Sequence, residues 1–471
     1  MSGGGSRKRR GRGSTLVGTG HSDGRRKAGK RRGKSSGINK PRVKRGKRGT
    51  LPEGVRTYDD AWTVLVASGK STLIAAGHPW VFSGAVEHAL PPRNPDKIAP
   101  GAPCVVFDHR GFHLGRGYYN PDSQLAVRMV ALATSDDPPQ DAVSDDVIVR
   151  QHLGNAFAMR EQLGIVCADR SAYRLVNGAG DMLPGLGIDR YADGAVVVIS
   201  TAGAARWVDI IADWLTTAGG CNWVVCRAGY DTHPSEGLAA GTLRSMGDVP
   251  ATVDVNHHGI TIPLSPRDGS KTGLFTDQWD NHLEVAKLCE GRFVLDAYCH
   301  TGGFGLHAAR AGAARVLCVD ASARACELAE EAAKRSGLSQ VEVYCGDAVN
   351  VLRDIADGIG GQDAARPSVI VVDPPKFVTR SARIEDALRK YTHLNAAAMQ
   401  ALVDEGWLIS CSCSGRLDTT TFLRMLAHAA RRANRIVSVV EIRGAGRDHP
   451  TTAAHGEGRY LKVAICRITN R

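Results

Sequence analysis

Between about residues 55 and 135 the chain carries short apolar runs, Trp62–Ala67, Cys104–Phe107 and Leu125–Val130, parted by turn signals such as Gly77-His78-Pro79 and Asn120-Pro121-Asp122. Runs of that length between Gly, Pro and Asn predict strands, and therefore a small β-rich domain. Residues 144–163 space their apolar positions at the helical period instead. Strand-like Tyr173–Val176, Leu186–Tyr191 and Ala195–Ser200 follow, then a helix near 205–218 and a strand near Asn222–Cys226. Residues 140–260 thus predict an α+β domain.

From 262 to 471 strands and helices alternate regularly. Strands are predicted at Phe293–Asp296, Arg315–Asp320, Val341–Tyr344, Ser368–Asp373 and Trp407–Cys411, with closing strands near 435–442 and 459–468. Helices are predicted after the loop that ends at Gly305, from the N-cap Ser322 to Gly337, and near 383–402 and 418–433. Alternating βα units give a parallel, doubly wound α/β sheet. No internal repeat is visible.

Composition changes this picture at one place. The 471 residues carry a net charge of +12, yet residues 1–50 hold 18 Lys or Arg against the single acid Asp23, so the remainder has a balance of −5. With thirteen glycines and few apolar residues, that tail cannot bury enough surface to offset its ordering entropy, and disorder is expected. Such a tail either attaches to RNA or the ribosome or remains a solvated extension. The hydrophobic share of 43% is that of a globular protein. No apolar run reaches the roughly 18 residues that span a bilayer, and the basic start lacks the apolar stretch of a secretory signal. Twelve scattered cysteines, many in apolar runs, fit a reducing compartment, so the cytoplasm is expected.

Three predicted strands end in an acid: Asp296, Asp320 and Asp373. Ligands of open α/β sheets bind beyond the carboxyl ends of the strands, so these acids converge on one candidate site. The loop Asp296-Ala-Tyr-Cys-His-Thr-Gly-Gly-Phe-Gly305 contains a loose G-x-G-x-x-A match at 303–308. A carboxylate six residues before Gly302 repels a pyrophosphate but suits the ammonium of S-adenosylmethionine. Asp320 is placed to accept from both ribose hydroxyls, and Asp347 to reach the adenine edge. The alternative for such acids is helix N-capping. Thr301, Gly302, Gly303, Phe304 and Pro374 complete the candidate cofactor set.

Two further motifs bear on what is methylated. The fourth strand runs into Asp373-Pro374-Pro375-Lys376-Phe377, and the next ends in Cys411-Ser412-Cys413-Ser414-Gly415. Carbon C5 of a pyrimidine is a poor nucleophile until a thiolate adds at C6, whereas nitrogen methylation needs no thiol. Two cysteines at a strand end also pack as small apolar side chains. They have no second pair at zinc-ligand spacing, and His257-His258 lie far away in sequence, so no metal ligand is expected.

Taken with Gly77-His78-Pro79-Trp80-Val81-Phe82-Ser83, Asp181-Met-Leu-Pro184-Gly185-Leu-Gly-Ile-Asp189-Arg190-Tyr191 and Lys271-Thr272-Gly273-Leu-Phe275-Thr-Asp277-Gln278, residues 55–471 resemble the bacterial 23S rRNA cytosine-C5 methyltransferases of the RlmI type. The resemblance implies an N-terminal PUA domain, a middle domain and a class I S-adenosylmethionine-dependent domain forming 5-methylcytosine. It also implies Cys413 as nucleophile, Asp373 on the target base, and Asp320 and Asp347 on the cofactor, with Lys271, Lys376 and Phe377 toward RNA. The implied partner is 23S rRNA, free or in a large-subunit assembly intermediate; a homodimer is compatible, a membrane is not. His300 departs from the pattern, where an aromatic tyrosine is expected, and the basic tail lies outside it. Rival readings are a guanine-N7 rRNA methyltransferase and an inactive RNA-binding assembly factor.

Overall fold

The computed structural model describes residues 51–94, 99–133, 144–229, 232–267, 273–359, 365–377 and 383–471. The basic tail and Lys271 lie outside them. Strands β1 (Trp62–Val66), β2 (Trp80–Phe82), β3 (Val86–Leu90), β4 (Ala102–Asp108), β5 (His113–Tyr119) and β6 (Leu125–Leu132) form the first sheet, ordered β2-β6-β5-β4-β1-β3, with the short helix α1 (Thr72–Ala75) between β1 and β2. The apolar pattern does not reveal β2, β3 or β5. In β5 the reason is close approach: a Cβ on Gly117 would stand 2.2 Å from the Arg128 carbonyl oxygen, and one on Gly115 2.2 Å from that of Ala131. Glycines weaken a strand signal where another backbone must pass.

The middle region holds α2 (Asp145–Gln162), β7 (Ala172–Asn177), β8 (Leu186–Tyr191), β9 (Gly194–Ile199), α3 (Ala202–Ala205), α4 (Val208–Thr217), β10 (Trp223–Ala228) and β11 (Gly241–Met246). Its sheet runs β11-β10-β9-β8-β7. A separate hairpin follows, β12 (Val253–His257) with β13 (Ile260–Leu264). Its apolar side chains share one core with Tyr191 and Trp223 of the middle sheet and with Trp279, Leu306 and Ala332 beyond it. The hairpin therefore joins the two regions by burial.

The last region comprises α5 (Trp279–Ala286), β14 (Phe293–Ala297), α6 (Gly303–Arg310), β15 (Arg315–Asp320), α7 (Ala323–Arg335), β16 (Val341–Cys345), α8 (Ala348–Ala356), β17 (Val369–Val372), α9 (Ile384–Ala401), β18 (Gly406–Ser412), α10 (Thr419–Ala433), β19 (Arg435–Arg443) and β20 (Lys462–Asn470). The sheet runs β16-β15-β14-β17-β18-β20-β19. Its first five strands are parallel, and β20 is antiparallel to both neighbours. Strand order reverses between β14 and β17, which opens a crevice at their carboxyl ends. No helix among the described residues is long and apolar enough to cross a membrane.

A buried polar network ties the middle region to the loop between β19 and β20. The Asp448 carboxylate accepts from Arg170 Nη2 at 2.8 Å and from the Arg174 N–H at 3.0 Å, and pairs with His449 Nδ1 at 2.8 Å. Arg160 bonds both oxygens of Asp181, at 2.5 and 2.9 Å, and donates to the Asp448 carbonyl at 2.8 Å. Burial alone would raise the Asp448 pKa, but His449, Arg170 and the Arg174 N–H outweigh it and hold it at about 2, against an ordinary 3.8. A depressed folded-state pKa means that the ionised group stabilises the fold above pH 4, and that this contribution fades as pH falls from about 4 to about 2. Asp448→Asn should thus cost about 2–3 kcal/mol at pH 7 and lower the apparent Tm by roughly 5–10 °C. Thermal melts across a pH series should show the gap to wild type narrowing toward pH 2.

Candidate functional site

The tips of β14, β15, β17 and β18 face one crevice. Asp296, near the end of β14, is 1% exposed. Its Oδ2 accepts from the Gly305 N–H at 2.8 Å, while Oδ1 is buried with no hydrogen-bond partner. Burial, with a smaller push from the Asp320 charge, raises its pKa to about 7. Asp320 ends β15 and is half-buried. Its Oδ2 accepts from the His300 N–H and its Oδ1 from the Ser322 N–H, each at 2.9 Å. His300 thus serves the site through its backbone, which explains how a histidine is accommodated there; its ring lies edge-on to Phe275 at 4.8 Å.

The loop after β14 is tightly wound, with Tyr298, His300 and Gly302 at φ of 62°, 51° and 81°. Such values are unfavourable for non-glycine residues, and the bond from His300 to Asp320 helps to hold them. Thr301, Gly302 and Gly303 are buried at the start of α6. Phe304 turns into the core, its ring 4.5 Å from that of His282. Asp347 is exposed and caps α8, accepting from the Asn350 N–H at 2.9 Å.

On the other side of the crevice, Asp373 follows β17 and accepts from Gln278 Nε2 at 2.9 Å. Gln278 Oε1 accepts from Asn281, whose Oδ1 accepts from Arg443, both at 2.8 Å. Pro374 is buried, Lys376 is exposed, and the Phe377 ring packs 4.8 Å from Tyr391. A cavity of about 790 Å³ borders the site through Tyr298 and Phe377 and carries Arg389, Lys390 and Arg432 in its wall.

The two cysteines of β18 and its tip occupy unlike surroundings. Cys411 is wholly buried, and burial together with the Asp373 charge pushes its thiol well above the ordinary range. Cys413 lies one residue beyond the strand and is partly exposed. Its segment is held by Tyr391, whose hydroxyl accepts from Ser412 Oγ at 3.0 Å and lies 3.3 Å from Ser414 Oγ.

Lys462 is the residue that the sequence reading missed. It is 3% exposed, and its Nζ donates to the carbonyls of Ser414 at 2.6 Å and Tyr460 at 2.7 Å. Burial lowers its pKa to about 8, while Cys413 and Asp418 pull it up and Lys376 pushes it down. The antiparallel register sets Lys462 opposite Ser412. The available signal was a single cation in the apolar run Leu461–Ile465. Tyr460 and Gln278 were also unassigned; the Tyr460 hydroxyl donates to Asp277 at 2.5 Å.

Residues 64–131 match the PUA-like domain family, and residues 294–358 match a methyltransferase domain family. Ribosomal RNA large subunit methyltransferase I of Shewanella denitrificans is 36% identical over 408 residues, covering 86% of this chain and 99% of that protein. The chain belongs to the ribosomal RNA large subunit methyltransferase I family. Its relative from Tolumonas auensis is 33% identical over 409 residues, with the same coverage. A putative SAM-dependent methyltransferase from Streptococcus mutans shares the fold, with a TM-score of 0.71 over 86% of this chain and 99% of that one, at 17% identity.

A thiolate is stabilised by a nearby ammonium and disfavoured by burial. Iodoacetamide should therefore label Cys413 in the native protein and Cys411 only after unfolding. Lys462→Met should slow Cys413 labelling at pH 7. Peptide mass spectrometry reads both sites, and native labelling of Cys411 in preference to Cys413 would contradict this account.

Proposed function

We propose that the protein transfers a methyl group from S-adenosylmethionine to C5 of a cytosine in large-subunit rRNA, through a covalent bond from Cys413 to C6. Family membership supports an S-adenosylmethionine-dependent rRNA methyltransferase. The observation that carries the finer chemistry is the partly exposed Cys413 beside the buried Lys462, at the tip of the strand next to Asp373-Pro374.

The cofactor supplies an electrophilic methyl on a sulfonium. The residues at the crevice fit it: Asp320 presents a fixed carboxylate for the ribose hydroxyls, and Asp296 Oδ1 is an unpartnered buried acceptor near the loop Thr301–Phe304. Asp347 stands at the neighbouring strand end for the adenine, its capping of α8 being compatible with that role.

In this reading the Cys413 sulfur, with the Lys462 ammonium beside it, adds as a thiolate to C6, so that C5 becomes nucleophilic. After methyl transfer a base removes the C5 proton and the thiolate leaves, which restores the aromatic ring. Asp373, aligned by Gln278, orients the base, while Lys376 and Phe377 offer charge and a stacking face to an unpaired or flipped nucleotide.

RNA carrying 5-fluorocytosine tests the reading, because fluorine cannot leave as a proton does. A covalent adduct is expected with wild type and Cys411→Ala and none with Cys413→Ala. An active enzyme that forms no adduct would instead favour the guanine-N7 reaction. Asp320→Ala leaves the ribose hydroxyls unpaired, at about 1–3 kcal/mol. Calorimetric titration should then show S-adenosylhomocysteine binding weakened roughly 5- to 150-fold.

A further inference from the structure

Three histidines from separate parts of the chain meet beneath the start of α6. His257 ends β12, His282 lies on α5 and His307 on α6, and one ring nitrogen from each falls within 4.8 Å of the others. Their exposures are 0%, 7% and 3%. Neither ring nitrogen of His257 has a hydrogen-bond partner, nor does Nδ1 of His282. Buried polar atoms are almost always paired, so three unpaired atoms in one cluster call for a ligand.

His307 adds an independent observation. Its Nδ1 lies 2.7 Å from the Gly303 carbonyl oxygen and its Nε2 3.2 Å from that of His257. Carbonyls only accept, and a neutral imidazole has a single N–H. The shorter contact assigns the N–H to Nδ1, so the Nε2 lone pair faces a carbonyl lone pair. A backbone carbonyl that holds one nitrogen as N–H and frees the other is how ligating histidines are commonly oriented.

We propose that His257, His282 and His307 form a site for a divalent transition metal ion, with zinc the ion best suited to three neutral imidazoles and one open position. The neighbouring cation Arg170 is offset by Asp280 at 3.0 Å and Asp448 at 2.8 Å. The ion would clamp α6, α5 and the hairpin together where the crevice loop becomes a helix. The fit is close there: a Cβ on Gly303 would stand 2.3 Å from His282 Cε1.

The test uses full-length protein expressed with zinc in the medium. Mass spectrometry of metals should find about one zinc per chain. Chelation should lower the Tm, and ZnCl2 should restore it by roughly 4–10 °C. Cobalt(II) exchanged into the apoprotein should give the visible bands of a tetrahedral nitrogen and oxygen site, without thiolate charge transfer. His257→Gln or His282→Gln should abolish zinc retention, and where such a variant fails to fold the wild-type metal and cobalt measurements decide. Less than about 0.1 zinc per chain with no Tm response to ZnCl2 would overturn the proposal. So would zinc retained by a folded His257→Gln variant, or a cobalt spectrum dominated by thiolate.

Discussion

Asp448 is a fully buried carboxylate carried by a loop, and it is held between Arg170, the Arg174 N–H and His449. Such a charge is stable only when fully paired, and pairing fixes the path of the chain on both sides of it. The loop it anchors leads through Tyr460 to Lys462, so the placement of a cation beside Cys413 depends on residues of the middle region. The same network explains the conspicuous acids Asp181 and Asp189. Asp181 accepts from Arg160, and Asp189 accepts from Arg174 Nε at 2.5 Å. Both are buried and paired with arginines of the middle region.

Burial acts with opposite consequences on neighbouring thiols. Cys411 faces the core and the Asp373 carboxylate, which together keep its proton on. Cys413, one residue past the strand, escapes full burial and gains a cation. Two residues of one strand end therefore differ in chemistry because the strand stops between them. Desolvation likewise lowers the Lys462 pKa to about 8, which leaves it mostly cationic at neutral pH.

Across the crevice, the acids of the proposed cofactor site also do structural work. Asp320 accepts two backbone N–H groups that hold a loop with three left-handed residues. Asp347 caps a helix while standing at a strand end. The capping alternative and the ligand alternative are thus compatible, since a carboxylate has more lone pairs than a cap consumes.

Much of this architecture was legible in the chain itself. The alternation of strands and helices after residue 262, the N-cap Ser322 and the acids at strand ends follow from local periodicity and local hydrogen bonding, which need no partner from afar. Glycine-rich β5 and the hairpin β12–β13 were not legible, because each is formed by what packs against it. Nor did residue spacing separate Cys411 from Cys413; accessibility decides that, and it exists only once β18 is covered. Lys462 and the trio His257, His282 and His307 come together from distant segments through antiparallel register and helix packing. Sequence determined the alternating elements after residue 262 and the acids that end them; the tertiary structure alone decided which charges and rings become neighbours, because proximity across a sheet or between helices has no period in the chain.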